Sequence, residues 1–252
     1  MKRRHLFWFL IFPTIVFAQE IKVLKPELGK DLDFSAKVQQ EWRVRDQVLN
    51  ALSTGKKQWD ESTVSEKNLM AKYGEVYESM WDIIGSGCSW YCGGGQDSLS
   101  ASSELASTTK ITYSASNAHD LSYKTAWVEG VDGYGIGEYL TYHVQPTNPR
   151  ITEVIVVNGY VKSEQAWRDN ARVKKLKMYI DDEPHVILNL LDTKTEQHFK
   201  VEPIGESDRK NMTALAKKPL WTMKFEILEV YEGDKYEDTA ITEIYFDGID
   251  VH

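Results

Sequence analysis

Apolar positions in this chain follow two rhythms, and the change between them falls near residue 85. Ahead of it, residues 38–84 are rich in Lys, Glu and Gln, with apolar side chains at helical spacing. Val44, Val48, Leu49 and Leu52 form one stripe; Leu69, Met70, Tyr73, Val76, Tyr77, Met80 and Trp81 form a second. Positions three and four apart share one face of a helix, so each stripe predicts an amphipathic helix. Ser65-Glu66-Lys67-Asn68, which follow Thr63, supply an N-cap, and Gly85-Ser86-Gly87 a stop. The two helices are expected to form a hairpin packed on the chain beyond residue 85, which makes residues 19–85 a short helical segment.

Beyond residue 100 the period becomes two, punctuated by Gly, Asn, Asp and Pro. Leu140, Tyr142 and Val144 alternate with Tyr139, Thr141 and His143. Residues 151–157, ITEVIVV, read as a fully buried strand that ends at the turn-forming pair Asn158-Gly159. Leu176, Met178 and Ile180 face away from Lys175, Lys177 and Tyr179, and Trp221, Met223, Phe225 and Ile227 share one side. Residues 239–251 close the chain as a last strand. Short strands without intervening helices predict an antiparallel sandwich or barrel.

The first 18 residues change the picture of where this fold works. Lys2, Arg3 and Arg4 precede an apolar run over residues 6–17, too short to span a bilayer comfortably, and VFA follows at its end. This is the pattern of a secretory leader cleaved after Ala18. No cysteine follows that run closely, and no later segment is apolar enough to cross a membrane. The protein is therefore expected to be exported, periplasmic or secreted, with no transmembrane anchor in its mature form. Loss of the leader removes three of 30 basic residues and none of 38 acidic ones, taking the formal charge from −8 to −11. So acidic a surface argues against nucleic acid or anionic lipid as the main partner.

Both cysteines lie in GSGCSWYCGGGQ, residues 85–96. Their C-x3-C spacing is not that of a thioredoxin-like centre, no His stands at zinc-ligand spacing, and the glycines lack the Lys-Ser/Thr of a phosphate loop. Export brings the thiols into oxidising conditions, so a Cys88–Cys92 disulfide is expected. Closing so small a ring removes little unfolded-state entropy, roughly 2 kcal/mol or less, and its main effect is geometric. It would fix Trp90 and Tyr91, either held out toward a ligand or pressed inward as a plug.

Two further stretches carry a resemblance. NAHDLSYKTAWVEG (117–130) is similar to the early motif of discoidin or coagulation-factor C-type domains, and ITEIYFDG (241–248) resembles the last strand of that superfamily. With CSWYCGG, NGYVKSEQAWRDNARVKKLKMY and ILEVYEGDKYEDTAITEIYFDG, the chain more closely resembles the NADase-type glycan-binding domain. That family takes its name from the non-catalytic translocation domain of a streptococcal NAD glycohydrolase. The resemblance covers residues 86–252 and implies a jelly-roll β-sandwich of the galactose-binding-like type, with ligand loops at one end.

It also implies a structural calcium ion between the early loop and the last strand, which carries to Asp120, Ser122, Thr125 and Glu243. Where many members have D-G-D this chain has Asp120-Leu121-Ser122, so a hydroxyl replaces one carboxylate and the affinity should drop. Sugar rings stack on aromatic side chains while amides, carboxylates and guanidinium groups bond their hydroxyls. The loop residues that offer this chemistry are Tyr160, Trp167, Asp169, Asn170 and Arg172, with Glu129 and Tyr134 on a second, Gly-rich loop.

Catalytic signatures are thin. GYGIG (133–137) sits between strands, away from the strand-turn-helix setting that a dinucleotide loop requires, and no H-E-x-x-H or G-x-S-x-G occurs. The reading that fits best is an exported, non-catalytic module that binds a glycan or glycoconjugate. Its alternatives are a carbohydrate hydrolase on the same sandwich and an envelope interaction protein whose Leu69-to-Trp81 stripe stays exposed for a partner.

Overall fold

The computed structural model describes residues 20–251; the leader expected over residues 1–18 lies outside them, as does His252. Eleven strands among the described residues form two facing layers. One layer runs β2 (Glu27–Asp31), β9 (Thr195–Ile204), β6 (Arg150–Asn158), β11 (Thr239–Ile249), and the short β4 (Trp127–Val128) also pairs with β11. The other runs β1 (Lys22–Leu24), β8 (Glu183–Asn189), β7 (Ala171–Ile180), β10 (Trp221–Tyr231), β5 (Tyr139–Val144), β3 (Gln96–Ala101). All pairings are antiparallel except β1 with β8 and a short seam where Thr239 and Ala240 lie beside Ala171 and Arg172. The fold is the jelly-roll sandwich that the period-two pattern and the resemblance predict.

The core lies between the layers. Leu140, Tyr142 and Val144 of β5, Leu176 and Met178 of β7, and Met223, Phe225 and Ile227 of β10 face Ile151, Val154 and Val156 of β6 and Ile241, Ile244 and Phe246 of β11. The rings of Tyr142 and Phe246 meet edge to face at 5.3 Å across the gap. β6 is buried on both faces. Ile155 and Val157 point outward into a second cluster with Leu32, Phe34, Ile83, Tyr123, Val161 and Tyr245. That double burial is why its sequence is an unbroken apolar run instead of an alternation.

The second cluster is built by the segment ahead of residue 85, which holds more than helices: it supplies β1 and β2 as well. α1 (Ala36–Ser53) is capped by the Ser35 hydroxyl, and α2 (Val64–Tyr73) by a reciprocal Thr63–Glu66 capping box, worth about 1 kcal/mol per cap. The helix expected to continue to Trp81 instead stops at Tyr73, where Gly74 turns left-handed at φ +61°. Buried Arg45 holds this break: its guanidinium stacks on Trp42 at 4.8 Å and donates to the carbonyls of Gly74 and Tyr77. The chain past Gly74 then lays Met80, Trp81 and Ile84 onto the sandwich, with Trp81 stacked on Phe34 at 4.7 Å. Most of the stripe that an interaction protein would have to expose is thus covered. No helix among the described residues is long and apolar enough to cross a membrane.

Candidate functional site

A cleft of about 420 Å3 opens at the end of the sandwich where β6 finishes and β7 and β11 begin. β6 stops at Asn158, whose side-chain amide pairs with both backbone groups of Val173 and ties the strand end to β7. The chain then passes Tyr160 and Lys162 into α3 (Glu164–Asp169), which is capped by Ser163. The loop between β10 and β11 closes the far wall. Gly233 packs so tightly that a Cβ there would stand 2.5 Å from the backbone of Asn170. That approach lets the N–H groups of Asp234 and Tyr236 reach the carbonyls of Arg168 and Asp169 at 2.8 Å each, and it swings Tyr236 over the cleft. The walls are Tyr113, Tyr160 and Tyr236 with Leu105 and Ala166; the polar groups are Lys162, Ser163, Gln165, Asp169, Asn170 and Asp238.

Of the seven residues expected to contact a ligand, the cleft gathers Tyr160, Asp169 and Asn170. The other four do not line this cleft. Arg172 is buried and forks onto Asp192 at 2.7 and 3.1 Å, while its third nitrogen donates to the carbonyls of Asn170 and Trp167. Trp167 lies under that guanidinium at 4.5 Å and donates its ring N–H to the carbonyl of Asn158. Glu129 is fully buried and accepts the N–H groups of Thr239 and Val131, pinning the Gly-rich loop to the start of β11. Burial pushes its carboxyl above the usual range despite those bonds. Tyr134 lies on the same loop, its carbonyl accepting from Thr239 Oγ1. The residues missed from sequence, Tyr113, Lys162 and Tyr236, come from three separate loops, and no local pattern unites them.

The calcium candidates do meet. Asp120 accepts from Thr125 Oγ1 at 2.5 Å and from the Ser122 N–H at 3.1 Å, and Glu243 Oε1 accepts the N–H of Leu121, a residue at φ +59°. Glu243 is fully buried, and its Oε2 has no partner among the described residues. Burial pushes its carboxyl well above the usual range, and the charge of Asp120 adds to the effect. A buried orphan oxygen beside a second carboxylate and a hydroxyl is a hard-oxygen donor set of the kind that suits calcium. Only two carboxylates take part, and no group of three or more His, Cys, Asp and Glu placed to hold a metal occurs among the described residues.

Trp90 and Tyr91 are pressed inward. Trp90 is buried with its ring N–H donated to the Pro149 carbonyl. The Tyr91 hydroxyl accepts the Phe246 N–H at 3.1 Å and stands 3.3 Å from His119 Nε2. His119 is in turn buried on the Ile244 carbonyl, and burial holds it down at about 4. The sulfurs of Cys88 and Cys92 stand 3.9 Å apart, in contact but beyond the roughly 2.05 Å of a disulfide bond.

Residues 90–247 match the family model of the NAD glycohydrolase translocation F5/8 type C domain. No curated protein sequence matches the chain. Among solved structures, the CBM32-1 and CBM32-2 domains of Clostridium perfringens ZmpB in complex with GalNAc align at 9% identity and a TM-score of 0.43, covering 71% of this chain and 38% of that one. CpGH89CBM32-5 from Clostridium perfringens, in complex with GalNAc-β-1,3-galactose, aligns at 14% identity and a TM-score of 0.42, covering 60% of this chain and 94% of that one. The arabinofuranosyltransferase AftD from Mycobacteria aligns at 16% identity and a TM-score of 0.41, covering 64% of this chain and 11% of that one. The chain thus spans well under two thirds of the ZmpB and AftD chains.

Proposed function

The chain belongs to the NAD glycohydrolase translocation F5/8 type C domain family, and we propose that it is an exported, non-catalytic module that binds a glycan or glycoconjugate in the tyrosine-lined cleft. One observation carries this reading. Three tyrosines, Tyr236 among them with its ring exposed, surround a cleft rimmed by Asp169, Asn170 and Asp238. Apolar faces of a pyranose stack on such rings, and its hydroxyls pair with amide and carboxylate groups. The periplasm or the medium is where such a ligand would be met. A calcium ion held by Asp120, Ser122, Thr125 and Glu243 would neutralise the buried carboxylate and stiffen the loop that leads into β4. In the exported protein Cys88 and Cys92 would oxidise to a disulfide, bracing the Trp90–Tyr91 plug.

Glycan-array binding, with and without calcium, tests the reading. The wild-type protein should bind at least one glycan; Tyr236→Ala should lose that signal while keeping the wild-type melting curve, and Asn170→Ala should lose it with a small drop in melting temperature, since the Asn170 amide donates to the Ala166 carbonyl at 2.8 Å. Binding unchanged in both variants, or turnover of the bound polysaccharide, would overturn it. Calcium should raise the melting temperature relative to chelator, and Glu243→Gln should abolish the rise; identical wild-type curves would remove the ion.

A further inference from the structure

Lys162 stands apart from the other charged groups of the cleft. Its Nζ donates to the Tyr160 hydroxyl at 2.8 Å and lies 4.1 Å from the centre of that ring. The side chain is half-buried, and no Asp or Glu among the described residues forms an ion pair with it. Neither acidic residue of the cleft, Asp169 or Asp238, forms an ion pair with it. Asp169 accepts from the Gln165 amide at 2.5 Å, and the charge of Asp238 bears on Glu129. In a chain of formal charge −8, a partly desolvated ammonium with no carboxylate beside it is unusual. Such a group is destabilised until an anion arrives, and a charge-assisted bond in a half-dry cleft is among the strong ones.

We infer that the cleft selects an acidic sugar, its anionic substituent paired with Lys162 and its hydroxyls turned toward Asp169, Asn170 and Asp238. This rests on the glycan reading above and adds the ligand class to it. The arrangement is polarised: a cation at the Tyr160 end and acceptors at the Tyr236 end. A pyranose bearing a carboxylate at one position and free hydroxyls at the others matches that polarity. A neutral sugar leaves the ammonium without a counter-charge, and a fully anionic chain meets Asp169 and Asp238. Burial lowers the affinity of Lys162 for its proton, and an anion placed beside it would favour the charged form again.

Titration calorimetry on the purified protein decides the matter with matched pairs. A uronic-acid trisaccharide is compared with its methyl ester, and sialyllactose with lactose; the two pairs separate a ring carboxylate from a sialyl one. The acidic member of at least one pair should bind about tenfold or more tightly than its neutral counterpart, the factor expected of one charge-assisted contact. Lys162→Met should erase that preference, so that the two members of each pair bind alike, and Tyr236→Ala should weaken both members. In the wild-type protein, raising the salt concentration should weaken only the acidic member, a readout that needs no variant. Equal binding of both members, or a preference that survives Lys162→Met, overturns the inference and leaves the glycan reading standing. Binding of none of the four also overturns it, and the array result alone then decides the glycan reading.

Discussion

Arg172 donates four hydrogen bonds inside the protein, two to Asp192 and two to the carbonyls of Trp167 and Asn170. Truncation would leave two loop carbonyls and the stacked face of Trp167 without a partner. Arg172→Ala should therefore cost about 1–3 kcal/mol, and each kcal/mol lowers the melting temperature by roughly 2–4 °C in a protein of this size. Arg172→Lys should recover little, because an ammonium cannot fork onto Asp192 and stack on Trp167 together. Thermal melts check this; an Arg172→Ala protein with an unchanged melt and no glycan binding would return Arg172 to the ligand site. From sequence, Arg172 and Trp167 look like ligand groups because their chemistry is visible and their partners are not. Asp192 lies 20 positions away, in the loop after β8. Tyr236 is hidden for the converse reason: its place over the cleft depends on Gly233 pressing against Asn170, a contact that no spacing encodes.

Strands with one buried face were legible, and β2 was not. β5, β7 and β10 alternate because one side meets the core. β2 reads ELGKD, is exposed at all five positions, and is held by the side chains beneath it. The Lys30 N–H donates to Glu196 Oε2 at 3.1 Å, and Tyr123 donates to the other oxygen of Glu196. His198, directly under Gly29, bonds Glu153 through Nδ1 at 2.9 Å and stands 3.7 Å from Glu196 through Nε2. Lys30 and Lys200 face the cluster, with Asp82 acting on Lys30 and Glu27 and Asp247 on Lys200, and Tyr123 and Tyr245 are the neutral groups beside it. Glu196, with Glu153 beside it, holds His198 above its usual 6.5. Burial pushes Glu196 up, but the nearby His198 and the bonds from Tyr123 and the Lys30 N–H outweigh this and leave it below the usual 4.5. A raised histidine stabilises fully below pH 6.5 and loses that contribution as the pH climbs through its folded value; a depressed carboxylate does so above pH 4.5 and loses it on acidification. β2 should therefore be held best between about pH 4.5 and 6.5. Hydrogen exchange at residues 27–31, corrected for intrinsic rate, should show protection falling from pH 6.5 toward 8.5, and His198→Gln should flatten that limb. An unaltered limb in the variant would assign the loss to another group.

At the scale of the molecule, β8 and β9 would each end a layer but for β1 and β2, and open strand edges invite pairing with other chains. One stretch of ten residues covers both. β1 lies parallel on β8 at residues 22–24, the chain turns at Pro26, and β2 lies antiparallel on β9 at residues 27–31. Lys22, Lys25 and Lys30 then place charge along the newly formed edges, which discourages further addition. The jelly roll was legible because its motifs lie within single strands and turns. This cover was not, because neither strand carries an apolar face and both belong to a segment whose helical stripes dominate its pattern. The cover also fixes the approach to Leu32 and Phe34, which seat the second cluster on β6. Deleting residues 20–31 should leave the interior sandwich formed, since the main core takes only Leu24 from this stretch, as a partly buried neighbour. It should nevertheless lower the melting temperature and expose two edges on one molecule. Sedimentation should then show concentration-dependent self-association beyond that of the full protein, with near-ultraviolet circular dichroism retained. A deletion variant that sediments and melts like the full protein would mean the edges are protected by their own twist and charge, and that β1 and β2 merely rest on them.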